Sequence, residues 1–443
     1  MARPSPLSGF PELLPADRIV EQRLLAELTR VFELHAFASV ETRAIEPVEV
    51  LLGKGEVDKE VYAVRRLQAG PEDTSDPEWA LHFDLTVPFA RYVLEHAGHL
   101  QFPFRRYQVQ KVWRGERPQE GRYREFTQAD VDIVGADTLA DHHDVEIVAV
   151  AADGFARLRD VLNFPPATLR VNNRKLAEGF YRGVGATDTA AVLQRIDKLG
   201  KIGPDKVGEL LVAECGLTET AARTCLDLAT ITAYDESFVE NVQALGVSDP
   251  LLDEGLEQLA AVVRGGGEVA PSVVKADLSI ARGLDYYTGT VMETELAGYE
   301  RLGSVASGGR YDKLASDGKR TYPGVGFSFG VTRMLVPIVA AGTVKASRQV
   351  PTCVLVAVDS EEDRATATSV ATVLRRRGIP TEVAPKADKF GKQIRHADRR
   401  GIPYVWFCRA DGDEVKDIRS GDQITADAAS WTPPAEDLFP QVG

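Results

Sequence analysis

Apolar residues recur at helical spacing near the start of the chain. Between residues 16 and 35 they stand at Ile19, Val20, Leu24, Leu25, Leu28, Val31 and Phe32. Pro15 comes just before this run, at a position that a helix tolerates. The pattern predicts an amphipathic helix, and its apolar face suits a contact with a second subunit.

Short stretches rich in β-forming residues follow, punctuated by turn residues. They lie at 37–42, 80–83, 107–113 and 126–134, and similar sequence runs from 273 to about 329. Few long helical runs separate them, which favours an antiparallel sheet over a doubly wound parallel one.

Between these two groups of strands, residues 174–265 are rich in Ala, Leu, Glu and Asp. Helical periodicity is visible at 207–211 and 256–262, so we expect a mainly helical insertion. The glycines at 265–267 predict a flexible joint where the insertion ends.

The pattern changes again beyond residue 350. Strand-like and helix-like segments alternate, at 353–358, 361–377, 379–383, 389–400 and 404–408. This order predicts a separate α/β domain with a parallel sheet and right-handed crossovers. We therefore expect two domains, 1–335 and 350–443, of which the first is an α+β domain with an antiparallel sheet flanked by helices.

Composition narrows the class of protein. The 443 residues are 44% hydrophobic and 27% charged, which excludes a disordered or fibrous chain. No apolar run approaches the roughly 18–20 residues that cross a bilayer, and the first residues lack the apolar core of a signal peptide. The four cysteines form no CxxC pair, so we expect reduced thiols in a cytoplasmic protein without membrane contact.

The net charge of −14 argues against a nonspecific nucleic-acid binder, but two segments are locally basic. Residues 105–124 hold seven Lys or Arg against two Glu, and residues 386–400 hold six against two Asp. By itself, each segment is most simply interpreted as a solvated face. In the second segment, Lys389, Lys392 and Arg395 recur every three residues and would lie on neighbouring sides of one helix.

Several catalytic motifs are missing from the sequence. It has no GxxxxGK[ST] phosphate loop, no HExxH and no GxSxG. The histidine pairs His142-His143 and His96/His99 have no third spaced ligand, so we expect no metal bound by protein side chains.

The densest charged segment is 112–126, which predicts two strands joined by a loop with cations at both strand ends. Arginine suits phosphate, because its planar fork bonds two oxygens and stays charged. Phe126 offers an aromatic face for a base. The alternative is a charged hairpin with surface salt bridges, which leaves the Pro and Gly among these cations unexplained.

This segment resembles motif 2 of the class II aminoacyl-tRNA synthetases, with Arg114, Glu116, Arg122 and Phe126 at the motif positions. Residues 324–333, a glycine-rich strand leading into a helix with Arg333, resemble motif 3. The two motifs occur in the expected order, about 200 residues apart.

Further stretches resemble one family of this class, the histidyl-tRNA synthetases. They are the signature at 282–289, its companion at 307–314, the amino-acid-binding strand at 83–91, and the anticodon-binding domain around 389–407. One departure concerns motif 1, which shapes the dimer interface. Arg43 stands where the family usually has proline.

The resemblance implies a homodimeric ligase that activates L-histidine with ATP, releases pyrophosphate, and transfers histidine to the 3′ end of its tRNA. Mg²⁺ would accompany ATP. The negative charge at phosphorus in the transition state calls for fixed cations, and the resemblance assigns this catalytic role to Arg114, Arg282 and Arg333. It assigns ATP binding to Arg114, Glu116, Arg122, Phe126 and Arg333.

For histidine, a pocket that bonds both ring nitrogens would discriminate strongly. The resemblance assigns the amino acid to Asp84, Leu85, Thr86, Arg114, Gln128, Asp132, Arg282, Tyr286 and Tyr287. Asp84, Thr86 and Gln128 would face the α-amino end, Asp132 and Tyr287 the imidazole, and Tyr286 the pocket wall. A tyrosine pair alone more often packs in a core. The resemblance assigns tRNA binding to the C-terminal domain, where we expect Lys389, Lys392 and Arg395 to contribute.

Two other classes share parts of this pattern. A regulatory subunit of ATP phosphoribosyltransferase resembles the same catalytic domain, but such proteins lack the C-terminal domain and usually have degraded ATP-site arginines. A non-enzymatic tRNA-sensing module occurs inside some regulatory kinases, and no kinase segment is present here. Histidine-dependent exchange of labelled pyrophosphate separates these possibilities.

Overall fold

The computed structural model describes residues 5–52, 60–66, 76–281, 287–313 and 315–443. The chain forms two compact units. The larger comprises Met1–Pro11 and Leu25–Pro337, and the smaller comprises Glu12–Leu24 and Ile338–Gly443.

The larger unit is built around one extended sheet and a small accessory sheet. Its strands are β1 (Ala38–Ser39), β2 (Ile45–Pro47), β3 (Ala63–Val64), β4 (Trp79–Leu81), β5 (Phe104–Trp113), β6 (Glu125–Val134), β7 (Ala167–Asn173), β8 (Thr232–Ala233), β9 (Val274–Asp277), β10 (Thr290–Leu296), β11 (Ala306–Tyr311) and β12 (Gly324–Gly330). Within the described residues, the extended sheet has the order β1-β5-β6-β12-β11-β10-β7-β9-β8. β2, β4 and β3 form the accessory sheet.

Neighbouring strands of the extended sheet are antiparallel from β5 through to β7. The predicted antiparallel sheet is therefore confirmed at its centre. The sheet is mixed overall, because β1 joins β5 and β7 joins β9 in parallel. The hairpin of β5 and β6 pairs ten residues on each side and contributes the strand that carries most of the site.

Helices flank this sheet. They are α1 (Pro15–Leu34), α2 (Val48–Leu52), α3 (Thr86–His96), α4 (His142–Leu162), α5 (Arg174–Gly183), α6 (Thr189–Ile196), α7 (Leu199–Ile202), α8 (Pro204–Ala213), α9 (Glu219–Thr230), α10 (Ser237–Gln243), α11 (Pro250–Val269) and α12 (Val331–Ala340). On α4, apolar residues recur every three to four positions, and Phe155 packs on Phe329 of β12 with 5.0 Å between ring centroids.

The helix predicted over residues 16–35 is confirmed as α1, but its apolar face is already buried. Val20, Leu24, Leu28 and Phe32 are fully buried within the chain. Phe32, for example, lies 5.8 Å from Phe329, measured between ring centroids. The prediction that this face contacts a second subunit was therefore wrong, because it forms part of the chain's own core.

The helical insertion is confirmed as α5 to α11, interrupted by the short strand β8. The predicted flexible joint at residues 265–267 was wrong, since α11 continues through it to Val269. A Cβ at Gly265 would overlap Val145 of α4, and one at Gly266 would overlap Val274 of β9. These glycines therefore allow a close approach of α11 to its neighbours.

The smaller unit has its own sheet. Its elements are β13 (Val354–Val356), α13 (Arg364–Arg376), β14 (Thr381–Val383), α14 (Phe390–Arg399), β15 (Tyr404–Phe407), β16 (Glu414–Asp417), β17 (Gln423–Thr425) and α15 (Ala435–Leu438). The predicted parallel strands β14-β13-β15 are confirmed. The sequence analysis missed β16 and β17, which extend the sheet antiparallel, because the residues of β17 are all exposed and lack an apolar alternation.

Candidate active site

The loop end of the β5–β6 hairpin holds Arg114 beside Phe126. Val112 pairs with Phe126 across the hairpin, and Arg114 follows two residues later. The Arg114 Nε donates a hydrogen bond to the Phe83 carbonyl at 2.9 Å, and its guanidinium carbon lies 5.2 Å from the centre of the Phe126 ring. Both contacts orient the guanidinium.

The loop between these strands places a carboxylate between two arginines. Arg122 donates to the Glu116 carboxylate at 3.1 Å, and an Arg114 nitrogen lies 3.9 Å from the same group. Reciprocal backbone hydrogen bonds between Gln119 and Arg122 close the loop. One negative charge is therefore shared between two positive ones.

Arg333 is the third cation, and it lies in the first turn of α12. Its guanidinium donates to the Leu302 carbonyl, and its Nε has no hydrogen-bond partner among the described residues. Burial lowers the pKa of Arg333, and the nearby Arg122 and Arg114 lower it further. Such a site favours an anionic ligand.

These side chains line one opening of about 220 Å³, which we call the basic cleft. Its walls are formed by Arg114, Glu116, Gly121, Arg122, Tyr123, Phe126, Gln128, Ser304, Val305, Ala306, Ser307, Ser328, Gly330 and Arg333. The structure thus brings all five predicted ATP-binding residues together. Among the described wall residues, Glu116 supplies the only carboxylate.

A smaller opening of about 30 Å³ adjoins the basic cleft, and we call it the acidic cavity. It is lined by Thr86, Asp130, Asp132, Tyr287, Ser307, Gly308, Tyr311, Gly326, Phe327 and Ser328. Ser307 and Ser328 border both openings. Of the predicted histidine-binding residues, Thr86, Asp132 and Tyr287 line this cavity, whereas Arg114 and Gln128 line the basic cleft.

Asp132 is held on both of its carboxylate oxygens. Oδ2 lies 2.7 Å from a guanidinium nitrogen of Arg106, and Oδ1 accepts a hydrogen bond from the Tyr311 hydroxyl at 2.5 Å. Arg106 is fully buried, with its guanidinium carbon 4.1 Å from the centre of the Phe89 ring. A Cβ at Gly326 would overlap Asp132 Oδ1, so only glycine leaves room for this arrangement.

The start of α3 positions the stretch from Asp84 to Thr86. Asp84 Oδ1 accepts a hydrogen bond from the Val87 amide at 3.0 Å. The Leu85 side chain is fully buried, and the Leu85 carbonyl accepts from Arg106 at 3.4 Å. Leu85 was predicted to bind histidine, but its side chain does not line the acidic cavity.

Two further predicted histidine-binding residues carry polar groups in the two openings: Gln128 in the basic cleft and Tyr287 in the acidic cavity. Gln128 donates to the Ser328 hydroxyl at 2.9 Å, while its Oε1 has no partner among the residues described. Burial raises the pKa of the Tyr287 hydroxyl, as do the nearby carboxylates of Asp132 and Asp130. The tyrosine is therefore a neutral hydrogen-bonding group.

Arg282 and Tyr286, which the sequence analysis also assigned to the site, lie outside the described residues. The described chain resumes at Tyr287.

Sequence reasoning missed Asp130, Tyr311 and Arg106 as parts of the site. One available signal was the spacing along β6. Side chains two residues apart share one face of a strand, so Phe126, Gln128, Asp130 and Asp132 all follow the same face. No comparable signal pointed to Arg106, because it reaches Asp132 from the neighbouring strand β5.

Arg43, at the motif 1 position, belongs to an ion-pair network on α3. Its guanidinium lies 3.2 Å from Glu46 and 3.5 Å from Glu95. Arg91 also contacts Glu46, which is fully buried, at 2.8 Å. Arg43 therefore helps to hold β2 next to α3.

In the smaller unit, the three predicted tRNA-contacting residues are all exposed. Lys389 immediately precedes α14, and Lys392 and Arg395 lie on it. We call Lys389, Lys392 and Arg395 the basic patch. Lys392 forms an ion pair with Asp388 at 3.0 Å, so part of its charge is already balanced.

The residues that the structure describes contain no group of three or more His, Cys, Asp or Glu able to hold a metal ion. His143 contacts Glu146 at 3.1 Å, and the His96 ring packs against Tyr92 with 4.5 Å between centroids. None of the helices among these described residues has the length and apolar character needed to cross a membrane.

The antiparallel centre of the sheet, and the cleft that gathers the five predicted ATP-binding residues, fit the class II aminoacyl-tRNA synthetase fold that motifs 2 and 3 predicted. Comparison with known proteins gives the family. The family model for histidyl-tRNA synthetase matches residues 9–334, and the model for an anticodon-binding domain matches residues 352–419. The chain therefore belongs to the histidyl-tRNA synthetase family.

Individual relatives agree over the whole chain. A histidine–tRNA ligase from Cutibacterium acnes is 62% identical and one from Micrococcus luteus is 59% identical, each covering 100% of this chain and 99% of the relative. The crystal structure of histidyl-tRNA synthetase from Nostoc sp. PCC 7120 matches with a TM-score of 0.85 at 32% identity, over 97% of this chain and 98% of that one.

A structure described as an ATP phosphoribosyltransferase regulatory subunit/histidyl-tRNA synthetase from Bacillus halodurans C has a TM-score of 0.73 at 18% identity, over 91% of this chain and 98% of that one. It shows that the fold is shared and no more. The full-length relatives show that this chain is an ATP-dependent aminoacyl-tRNA ligase. It activates L-histidine with ATP to histidyl-adenylate, releases pyrophosphate and transfers histidine to tRNA.

Proposed function

We propose that the basic cleft binds ATP and that its arginines stabilise the transition state of histidine activation. The observation that carries this assignment is the convergence of Arg114, Arg122 and Arg333 on one cleft with a single described carboxylate. In our assignment, Arg114 contacts the α-phosphate, Arg333 borders the adenine and γ-phosphate, and Phe126 stacks on the adenine. Glu116 helps to fix the base.

The acidic cavity and its rim would hold the amino acid. Asp84, Thr86 and Gln128 take the α-ammonium end, and Asp132 with Tyr287 takes the imidazole. The hydrogen bonds from Arg106 and Tyr311 support this role, because they hold the Asp132 carboxylate in one position before the substrate binds. Tyr286 would complete the wall, and Leu85 would act through its main chain.

The shared wall of the two openings suits the reaction. Ser307 and Ser328 border both, so a histidine carboxylate at this junction would face the α-phosphate of ATP. A carboxylate oxygen forms a bond to the α-phosphorus while the bond to the bridging oxygen breaks, and pyrophosphate leaves. Charge accumulates on the phosphoryl oxygens during this step, and in our assignment Arg114 and Arg282 stabilise it.

Mg²⁺ would enter with ATP. This ion usually keeps several waters and binds through one or two carboxylates and the substrate phosphates, so a cluster of protein ligands is not required. When bound, the ion supplies positive charge that offsets the charge of the phosphates.

At the level of domains, we propose that residues 1–335 form the catalytic domain and residues 350–443 the anticodon-binding domain. The boundary between the two compact units at Pro337 and Ile338 supports this division, although Glu12–Leu24 group with the smaller unit. The basic patch would then contact the tRNA of histidine. We also propose a cytoplasmic location, for which the four free cysteines are suited.

We propose a homodimer formed through the accessory sheet. Its strands β2 and β4 pair Ile45 with Leu81 and Pro47 with Trp79, which places these four side chains on one face. Trp79 is 49% exposed and Ile45 is 40% exposed. An apolar strand face of this kind, next to the motif 1 residue Arg43, suits a contact with a second copy.

The test of the active-site assignment is single-turnover adenylate formation by Arg114→Ala and Arg282→Ala. Each loses one fixed cation at the phosphorus, and the rate should fall by on the order of 100-fold or more. Arg159→Ala is a matched control, since Arg159 is exposed and pairs only with Asp160 in the described structure. Unchanged rates in the first two variants would contradict the assignment.

A further inference from the structure

Asp130 is a buried carboxylate to which the proposed mechanism assigns no role. It is only 3% exposed and lies on β6 between Gln128 and Asp132. Its cross-strand partners are Gln108 on β5 and Ser328 on β12. Because side chains alternate along a strand, Asp130 faces the same side of the sheet as Asp132, and it lines the acidic cavity.

The hydrogen bonds of the two aspartates differ. Asp132 already has a partner on each carboxylate oxygen, Arg106 and Tyr311. Asp130 Oδ1 is buried and has no hydrogen-bond partner among the residues that the structure describes. A buried acceptor without a partner is costly, so such atoms usually mark the place of a ligand group or a bound water.

The order of residues along β6 indicates which part of histidine lies beside Asp130. Gln128 lines the basic cleft, whereas Asp130 and Asp132 line only the acidic cavity. The carboxylate of histidine must point toward the basic cleft, where it reacts with ATP. Its ring must then extend the other way, into the cavity.

We propose that Asp130 is a second specificity-determining residue of the histidine pocket, whose Oδ1 accepts a hydrogen bond from a ring N–H of the substrate. This inference rests on the proposed assignment of the acidic cavity to histidine. Asp132 and Asp130 then bind the imidazole from adjacent positions of one strand. A site built to bond an N–H group discriminates strongly against a ring that lacks it.

The electrostatics of the pocket are consistent with this role. Burial raises the pKa of Asp130 to about 7, with Asp132 adding to the shift and Arg106 opposing it. The carboxyl is therefore poised near neutral pH, close to the range in which imidazole titrates. A ring N–H would stabilise the ionised form of Asp130 when histidine binds.

The test is Asp130→Asn in histidine-dependent pyrophosphate exchange, with Asp132→Asn as comparator. The probe is pyrazolylalanine, whose ring is joined through nitrogen and has no N–H group, used as a competitive inhibitor. Asp130→Asn should raise the KM for histidine about 10- to 100-fold, the range for losing a charge-assisted hydrogen bond. The KM for ATP and the Ki of pyrazolylalanine should change by less than about threefold, because neither depends on that bond.

Asp144→Asn is a matched control. Asp144 is also a buried carboxylate, but it bonds Thr290 and Arg310 and does not line the acidic cavity. Its substitution should lower thermal stability without raising the KM for histidine. Asp130→Ser gives a second variant if Asp130→Asn fails to fold.

The outcomes separate this inference from the proposed function. If Asp132→Asn raises the KM for histidine and Asp130→Asn does not, the role of Asp130 is overturned while the pocket assignment stands. Equal losses for histidine and pyrazolylalanine would make Asp130 a structural residue and would also overturn the inference. If neither aspartate affects the KM for histidine, the assignment of the cavity itself fails.

Discussion

In the basic cleft, three guanidiniums converge with one described carboxylate among them. In the acidic cavity next to it, Asp130 and Asp132 face inward, and the one described cation in contact with them, Arg106, is fully buried behind Asp132. The two openings share Ser307 and Ser328. Under the proposed assignment, the same sheet presents opposite charges to the two substrates, because ATP brings negative charge and histidine brings an ammonium group and a ring N–H.

The two regions also differ in how their charges are held. Arg114 is oriented by a backbone carbonyl and an aromatic ring, while Asp132 is oriented by a cation and a hydroxyl. In both regions the polar groups are positioned before any substrate arrives, which is the condition under which electrostatic stabilisation is strongest. Substitutions should therefore affect each region in a distinct way.

The largest effect should come from Arg333→Ala in the basic cleft. The variant loses a partly buried cation, so the rate of adenylate formation should fall by on the order of 100-fold and the KM for ATP should rise. The KM for histidine should change by less than about threefold, since Arg333 does not line the acidic cavity. Steady-state exchange kinetics with each substrate varied in turn provide the measurement. A rise in the KM for histidine alone would contradict the assignment of ATP to the basic cleft and histidine to the acidic cavity.

A second prediction concerns stability in the acidic cavity. With its pKa raised from 3.8 to about 7, folded Asp130 keeps its proton where the unfolded chain has lost it, so stability falls as pH rises from about 4 to 7. Asp130→Asn removes this penalty, which is on the order of 4 kcal/mol, and should raise the melting temperature of the substrate-free protein by roughly 5–10 °C at pH 8.

The gain should shrink as pH falls and disappear near pH 3, where the wild-type carboxyl is protonated in both the folded and the unfolded state. Thermal unfolding at several pH values, followed by circular dichroism, measures it. A gain that is the same at pH 4 and pH 8 would show that the carboxyl does not carry the raised pKa.

The smallest effect is expected from the basic patch, whose cations are exposed. Lys389→Gln and Lys392→Gln should each lower the log–log salt dependence of tRNA binding by roughly 0.7–0.9 if each contacts one phosphate. Lys389→Gln should have the larger effect on affinity, because Lys392 is already paired with Asp388. Binding titrations at several salt concentrations measure both values.

Lys416→Gln, on another element of the same unit, is the control for these variants. Pyrophosphate exchange should be unchanged in all three, because the substituted residues belong to the smaller unit. Lost exchange with retained tRNA affinity would mean that the basic patch is a solvated face.

Much of the site was visible in the sequence because its motifs are local. Arg114, Glu116, Arg122 and Phe126 belong to one hairpin, so the resemblance to motif 2 could assign all four to one site before the structure showed them lining the same cleft. Arg333 needed a second motif on a strand followed by a helix, and that order was also readable. Asp130 was within reach of the same reasoning, since it alternates with Gln128 and Asp132 on β6.

The glycines at 265–267 show where prediction from local sequence failed. Residues 265–267 are typical of a joint, but in the folded chain the missing side chains allow α11 to approach Val145 and Val274. Likewise, the apolar face of α1 was predicted correctly, but it packs inside the chain's own core and not against a second subunit. Periodicity indicates that a face is buried and does not indicate whether the chain or a second subunit covers it.

The sequence by itself was enough to locate the strands and loops that carry the motifs and to reveal the family resemblance. It was also enough to predict two domains. Each of these depends on residues close together along the chain. Only the tertiary structure decided that Arg106 and Tyr311 hold Asp132, and that Asp130 is left with a free acceptor atom among the described residues. Those contacts join β5, β6 and β11. Whether a buried polar group finds a hydrogen-bond partner depends on which strands are neighbours and on their register. Neither can be deduced from the spacing of residues along one strand.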